Sequence, residues 1–95
     1  MKAGNWIDEV KARKGIQSDY AAAKLLGLSR NAISNYRSGL RNTLDEDSAV
    51  KVANALGINP VGIIIDQTAE RTKVPEVRAA LLRMAEPLCI LCKVN

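Results

Sequence analysis

Residues 19–38 read DYAAAKLLGLSRNAISNYRS, and the fold turns on how that stretch is read. The spacing of its apolar residues predicts two short helices joined by a tight turn at Gly27-Leu28-Ser29. Ala21, Ala22 and Ala23 are small, as two helices crossing at a steep angle require, because bulk at the crossing would force them apart. Leu26, Leu28 and Ile33 point to a core on either side of the turn. Gly27 takes the turn itself, where a left-handed backbone costs glycine least. Ser29 then offers a hydroxyl acceptor to cap the second helix. After it, Arg30, Asn31, Ser34, Asn35 and Arg37 form a polar row interrupted by Ala32, Ile33 and Tyr36. A helix that is polar on one face and carries Arg and Asn is equipped to read base edges in a DNA major groove.

Charge points the same way. The chain of 95 residues has a net charge of +4, with 14 basic and 10 acidic side chains. Between Tyr20 and Leu44 there is no acidic residue, yet Lys24, Arg30, Arg37 and Arg41 all lie there. Those four equal the whole net excess. Positive charge gathered on a reading helix and its loop is the footprint of a phosphate-binding surface.

Upstream, Trp6, Ile7 and Val10 form an apolar stripe at helical spacing, with Trp6 as a core anchor. Asn5 is the expected N-cap, Glu9 is placed to pair with Arg13, and Gly15 ends the helix. Ser18 is the expected cap of the next helix, with Asp19 in its first turn, where an acid suits the helix dipole. Downstream, Thr43 and Glu46 have the spacing of a capping box. The helix they open runs through Ala49, Val50, Ala53 and Leu56, with Asp47 placed to pair with Lys51 and Gly57 closing it. Asn59-Pro60 starts another helix, and its Ile63, Ile64 and Ile65 cannot all face one core. Lys73-Val74-Pro75 starts a last helix with a stripe of Val77, Ala80, Leu81 and Met84, stopped by Pro87. That helix packs on the isoleucine helix, either within the chain or across a dimer.

Ala22, Ala23, Gly27, Leu28, Ile33 and Tyr36, continued through Gly39, Leu44, Ala49, Val52, Ala53, Leu56 and Gly57, resemble the Cro and repressor-type helix-turn-helix of bacteriophages. The resemblance covers roughly residues 5–67. It implies an all-α, five-helix lambda repressor-like domain over residues 1–72, with the motif at 19–38. Residues 73–95 add an extra C-terminal helix and an apolar tail for packing or dimerisation. The resemblance also marks a departure. The family has a glutamine that touches a DNA phosphate where Asp19 stands. A carboxylate would repel that phosphate, which leaves the contact to Ser18, Gln17 or a backbone amide.

The expected roles follow from how such helices dock. The N-terminal part of a recognition helix spanning 29–37 enters the groove, so Arg30, Asn31 and Ser34 face bases. Ser29 and Asn35 lie nearer the phosphates, and Arg37 and Arg41 bind the backbone. Lys24 either reaches a phosphate or is solvated. Ile33 and Tyr36 belong to the core. One such helix covers few base pairs, so a homodimer on double-stranded DNA is expected, with residues 63–94 as its interface or that of another protein partner.

Enzyme chemistry is not expected. There is no histidine, which removes the commonest general base and metal ligand. Cys89 and Cys92 form a lone C-x-x-C with no second pair, and two small apolar thiols are the plain reading. No metal or cofactor is expected. Nothing in the sequence is apolar over a span long enough to cross a bilayer, and no targeting signal is evident, so the expected place is the cytoplasm. The sum is a sequence-specific transcriptional regulator of phage or mobile-element type, such as a repressor. The alternatives are an antitoxin-like regulator, or a protein-interaction module that uses the apolar C-terminal third.

Overall fold

The computed structural model describes residues 1–89 and holds six helices in this region: α1 (Ala3–Lys14), α2 (Asp19–Leu26), α3 (Arg30–Ser38), α4 (Glu46–Leu56), α5 (Pro60–Arg71) and α6 (Pro75–Leu88). No strand is present among the described residues. Five helices and an added sixth are the architecture the sequence implied. Ile90, Leu91, Cys92 and Val94, the rest of the expected apolar tail, lie outside the described residues.

One apolar cluster joins α1 to α5. Trp6, Ile7 and Val10 from α1 meet Ala22, Ala23 and Leu26 from α2, Ile33 and Tyr36 from α3, and Val52, Ala53 and Leu56 from α4. With no phenylalanine in the chain, aliphatic side chains fill this core around Trp6 and Tyr36. Removing one such buried side chain down to Ala costs about 2–5 kcal/mol. Trp6 is an anchor with a polar tether, since its indole N–H donates to the Asp66 carboxylate at 3.1 Å. That carboxylate and Gln67 sit buried on α5, a pair the apolar pattern gave no reason to place inside. Gln67 earns its burial by bonding in two directions: its carbonyl accepts the Leu44 backbone N–H at 2.7 Å, and its amide donates to the Met1 carbonyl at 2.6 Å. The loop before α4 is thereby fastened to α5.

Three helix boundaries differ from expectation. α1 begins at Ala3 with Lys2 at its cap position and no capping side chain, so Asn5 lies inside the helix. The start of α4 is capped by Asp45, whose carboxylate accepts the Ser48 N–H at 2.8 Å, in place of a Thr43–Glu46 box. Thr43 instead accepts a bond from Arg71 at 3.2 Å. Asp and Thr are both good caps, and the residue two places nearer the helix wins because its side chain reaches the orphan amide. Pro87 lies within α6 and does not end it, the helix running on to Leu88. The remaining starts and stops are as read: Ser18, Ser29 and Asn59 cap their helices, and Gly15 and Gly57 end theirs in the left-handed conformation.

α6 packs on α5 within the chain. Its inner face is not the stripe expected. Ala85 and Cys89 are buried, Ala80 and Leu81 are half-buried, and Val77 and Met84 face outward. Gly62 explains the close approach. A Cβ there would stand 2.8 Å from both the Cys89 sulfur and the Leu88 Cβ, so only glycine lets the helices meet at that point.

Candidate nucleic-acid interface

The surface is built from α2, the turn and α3. Ser18 accepts the Ala21 N–H at 3.1 Å, and Ser29 accepts the Ala32 N–H at 3.0 Å. Each hydroxyl thereby satisfies one orphan amide and keeps its own proton to donate outward. Between the helices Gly27 stands at φ +69°, and the Leu28 N–H bonds back to the Ala23 carbonyl at 2.9 Å. The turn is thus closed by the backbone itself.

α3 is cleanly two-sided. Ile33 and Tyr36 enter the core, where the Tyr36 hydroxyl bonds the Ser48 hydroxyl of α4 at 3.3 Å. Arg30, Asn31 and Ser34 are exposed on the opposite side. Asn35 is half-buried, and its carbonyl accepts the Arg41 N–H at 3.1 Å, which folds the following loop back along the helix. Ser29, Asn31, Asn35 and Arg41 consequently line one hollow together with Lys51 of α4. Tyr20, Arg30, Ser34 and Arg37 line a second hollow on the other flank. The exposed row of α3 is divided between them, Arg30 and Ser34 on one flank and Asn31 on the other. Lys24 is exposed on α2 beside the Tyr20 ring.

Arg37 is placed otherwise than its sequence position suggests. Its Nε and one terminal nitrogen grip the Asp19 carboxylate at 2.9 and 2.8 Å. The same terminal nitrogen reaches Asp8 at 2.6 Å, and the other donates to the Gly4 carbonyl at 3.3 Å. A guanidinium has five N–H donors, and most of these are spent inside the protein. Lys11 joins from α1, bonding Asp19 at 3.0 Å. The Arg37 bond, together with that of Lys11, holds the Asp19 carboxyl down at about 2, against an ordinary 3.8. Arg37 also lowers Asp8, and the two carboxylates in turn raise the affinity of Arg37 for its proton. The network ties α1, α2 and α3 together by their outer edges.

This arrangement changes the charge argument. Arg37 belongs to the run that holds the net excess, but its charge is offset by Asp8 and Asp19, which lie outside that run. Asp19, read as a bare first-turn acid, is a partner for two cations. Sequence distance hid the contact, because 18 and 29 residues separate Arg37 from its two carboxylates. Tyr20 and Lys51 were also missed, for they belong to the surface only once the helices are packed. Among the described residues no cluster of His, Cys, Asp and Glu could hold a metal ion, and no helix is long and apolar enough to cross a membrane.

A family model described as helix-turn-helix matches residues 10–63, more than half of the chain. The chain belongs to this helix-turn-helix family. The match is of the lambda repressor and Cro-like type, it contains α2, the turn and α3 entire, and it makes the chain a DNA-binding protein of all-α fold. The helix-turn-helix family is a family of DNA binders and not typically of enzymes. No curated protein and no solved structure shows significant similarity to the chain.

Proposed function

We propose that this helix-turn-helix protein is a sequence-specific transcriptional regulator of the phage or mobile-element kind, which acts in the cytoplasm by occupying an operator. The observation that carries the reading is the outward row Arg30, Asn31 and Ser34 on a helix whose other side is locked into the core. Rigid presentation matters because a side chain that is already placed loses less freedom on binding. Arg30 grips guanine and Asn31 adenine, each a bidentate match worth about 1–3 kcal/mol of discrimination. Ser34 supplies a further bond to a base edge. Arg41 and Lys24 hold the phosphate backbone, while Ser18 and Ser29 approach it from the two helix caps and Asn35 from the flank of α3. Amides in the first turn of α2 take up the contact that Asp19 does not make. Arg37 sets the angle of α3 and leaves the gripping to Arg41.

The active form is a dimer. Exposed Val77, Leu82 and Met84 on α6, with Val74 at its N-cap, on a helix that packs mainly on α5, favour a second copy of this chain over a separate protein partner. Apolar surface gathered on one added helix suits self-association.

Two substitutions separate base reading from backbone gripping. Arg30→Ala is expected to lose discrimination at the one base pair that Arg30 reads, by about 1–3 kcal/mol, whereas Arg41→Ala weakens cognate and random duplexes to a similar degree and keeps the preference. Undiminished preference in Arg30→Ala would remove the base-reading role from that residue.

A further inference from the structure

Tyr20 takes part in neither the core nor any bond so far described, yet it stands at the edge of the reading surface. It lies in the first turn of α2 with 55% of its surface exposed. The Arg30 guanidinium carbon is 5.3 Å from the centre of its ring, and the Lys24 ammonium is 5.8 Å from it. Both distances are within cation–π range. Lys24 is one turn along the same helix, so its contact follows from helical spacing alone. Arg30 is different. It belongs to the next helix, and the turn at Gly27 brings it over the ring. Arg30, Ser34 and Tyr20 line one hollow between α2 and α3.

We propose that Tyr20 is a positioning residue that holds the Arg30 guanidinium for base reading and thereby sets how strongly the protein prefers guanine at that position. The inference rests on the reading of α3 as the recognition helix. Arg30 is the first residue of α3, exposed, on a side chain with large rotamer freedom. A bidentate grip on guanine needs the planar fork in one orientation. An aromatic face beneath the fork restricts it while leaving its N–H donors at the rim able to reach the base. Leucine in place of Tyr20 would keep an apolar side chain but supply no π face. Phenylalanine would keep the face and lose only the hydroxyl.

The test measures discrimination between the best duplex site and the same site with the base pair read by Arg30 replaced, that pair being identified as the one where Arg30→Ala loses preference. Tyr20→Leu is expected to reduce discrimination at that pair about threefold to tenfold. Preference at other pairs and the salt dependence stay unchanged. Tyr20→Phe retains the discrimination, and in an Arg30→Ala background Tyr20→Leu adds no further loss at that pair. Tyr20 is exposed, and an unchanged thermal midpoint confirms that Tyr20→Leu folds. The proposal is overturned if Tyr20→Leu discriminates as well as the parent, or if it weakens every duplex equally whether or not Arg30 is present. If Arg30→Ala itself alters preference at no pair, the recognition-helix reading fails, and the role of Tyr20 falls with it.

Discussion

At the scale of single residues, the chain's most instructive side chain is Arg37. From sequence it belongs with Arg30 and Arg41 as one more cation on a basic helix. In the structure it is the hub of a network that reaches Asp19, Asp8 and Gly4. The pH dependence of stability follows from the shifted carboxylates. The Asp19 carboxyl is at about 2 in the fold and 3.8 ordinarily, so the folded state binds its proton less readily than the unfolded chain. The stability it contributes is therefore complete above about 4 and lost as pH falls from there toward about 2. Asp19→Asn should lower stability by about 1 kcal/mol at neutral pH, the upper range for a partly exposed pair, and should flatten the acid limb of the curve. Urea unfolding at pH 7 and pH 3 checks both, and an acid limb identical to the parent's would contradict the account. Gln67→Leu makes a second case. It strands the buried Leu44 N–H and should cost about 1–3 kcal/mol in the same measurement, although leucine is the more apolar residue.

At the scale of elements, most of the fold was legible, and the reason is local. Helix-forming periodicity, the serine caps at positions 18 and 29, and the glycine turn at 27 are all written in neighbouring residues. The cap of α4 was misplaced because Thr43 and Asp45 offer equivalent chemistry two residues apart, and only the loop's course decides between them. Contacts that cross the chain were not legible: Arg37 with Asp8, Gln67 with Leu44, Trp6 with Asp66. The inner face of α6 was misread for a related reason. Its periodicity suits a stripe at Val77 and Met84, but the close crossing at Gly62 rotates the small residues Ala85 and Cys89 inward. Gly62→Ala tests that crossing. The added methyl meets Cys89 and Leu88 at 2.8 Å and should cost about 1–3 kcal/mol of stability. DNA binding by the folded fraction should be retained, since α2 and α3 are untouched. Loss of binding at full folding would mean that α6 governs the reading surface directly.

At the scale of the whole molecule, charge and assembly set how the surface works. The net charge of +4 does not all face one partner, because Arg37 is answered from α1 and α2. What remains for phosphates is a small set, Lys24 and Arg41 with Arg30 beside them. With about two phosphates neutralised per chain by Lys24 and Arg41, a fourfold rise in salt should weaken binding roughly 12-fold for each chain engaged, and Arg41→Ala should make that slope shallower by about one per chain. Lys24 and Arg41 flank a single short helix, which covers too few base pairs for tight binding by itself, so pairing of two chains is part of the account. Sedimentation should reveal a dimer at tens of micromolar or on DNA, and Met84→Glu should reduce it to a monomer.

The central claim is that the outward row of α3 reads sequence. Selection of bound sites from a library of random duplexes tests it most directly. The account predicts enrichment of a defined site, arranged as two half-sites about one helical turn apart, and loss of its guanine preference when the selection is repeated with Arg30→Ala. Failure of the parent protein to enrich any sequence, at a salt concentration where it still binds DNA, would contradict it.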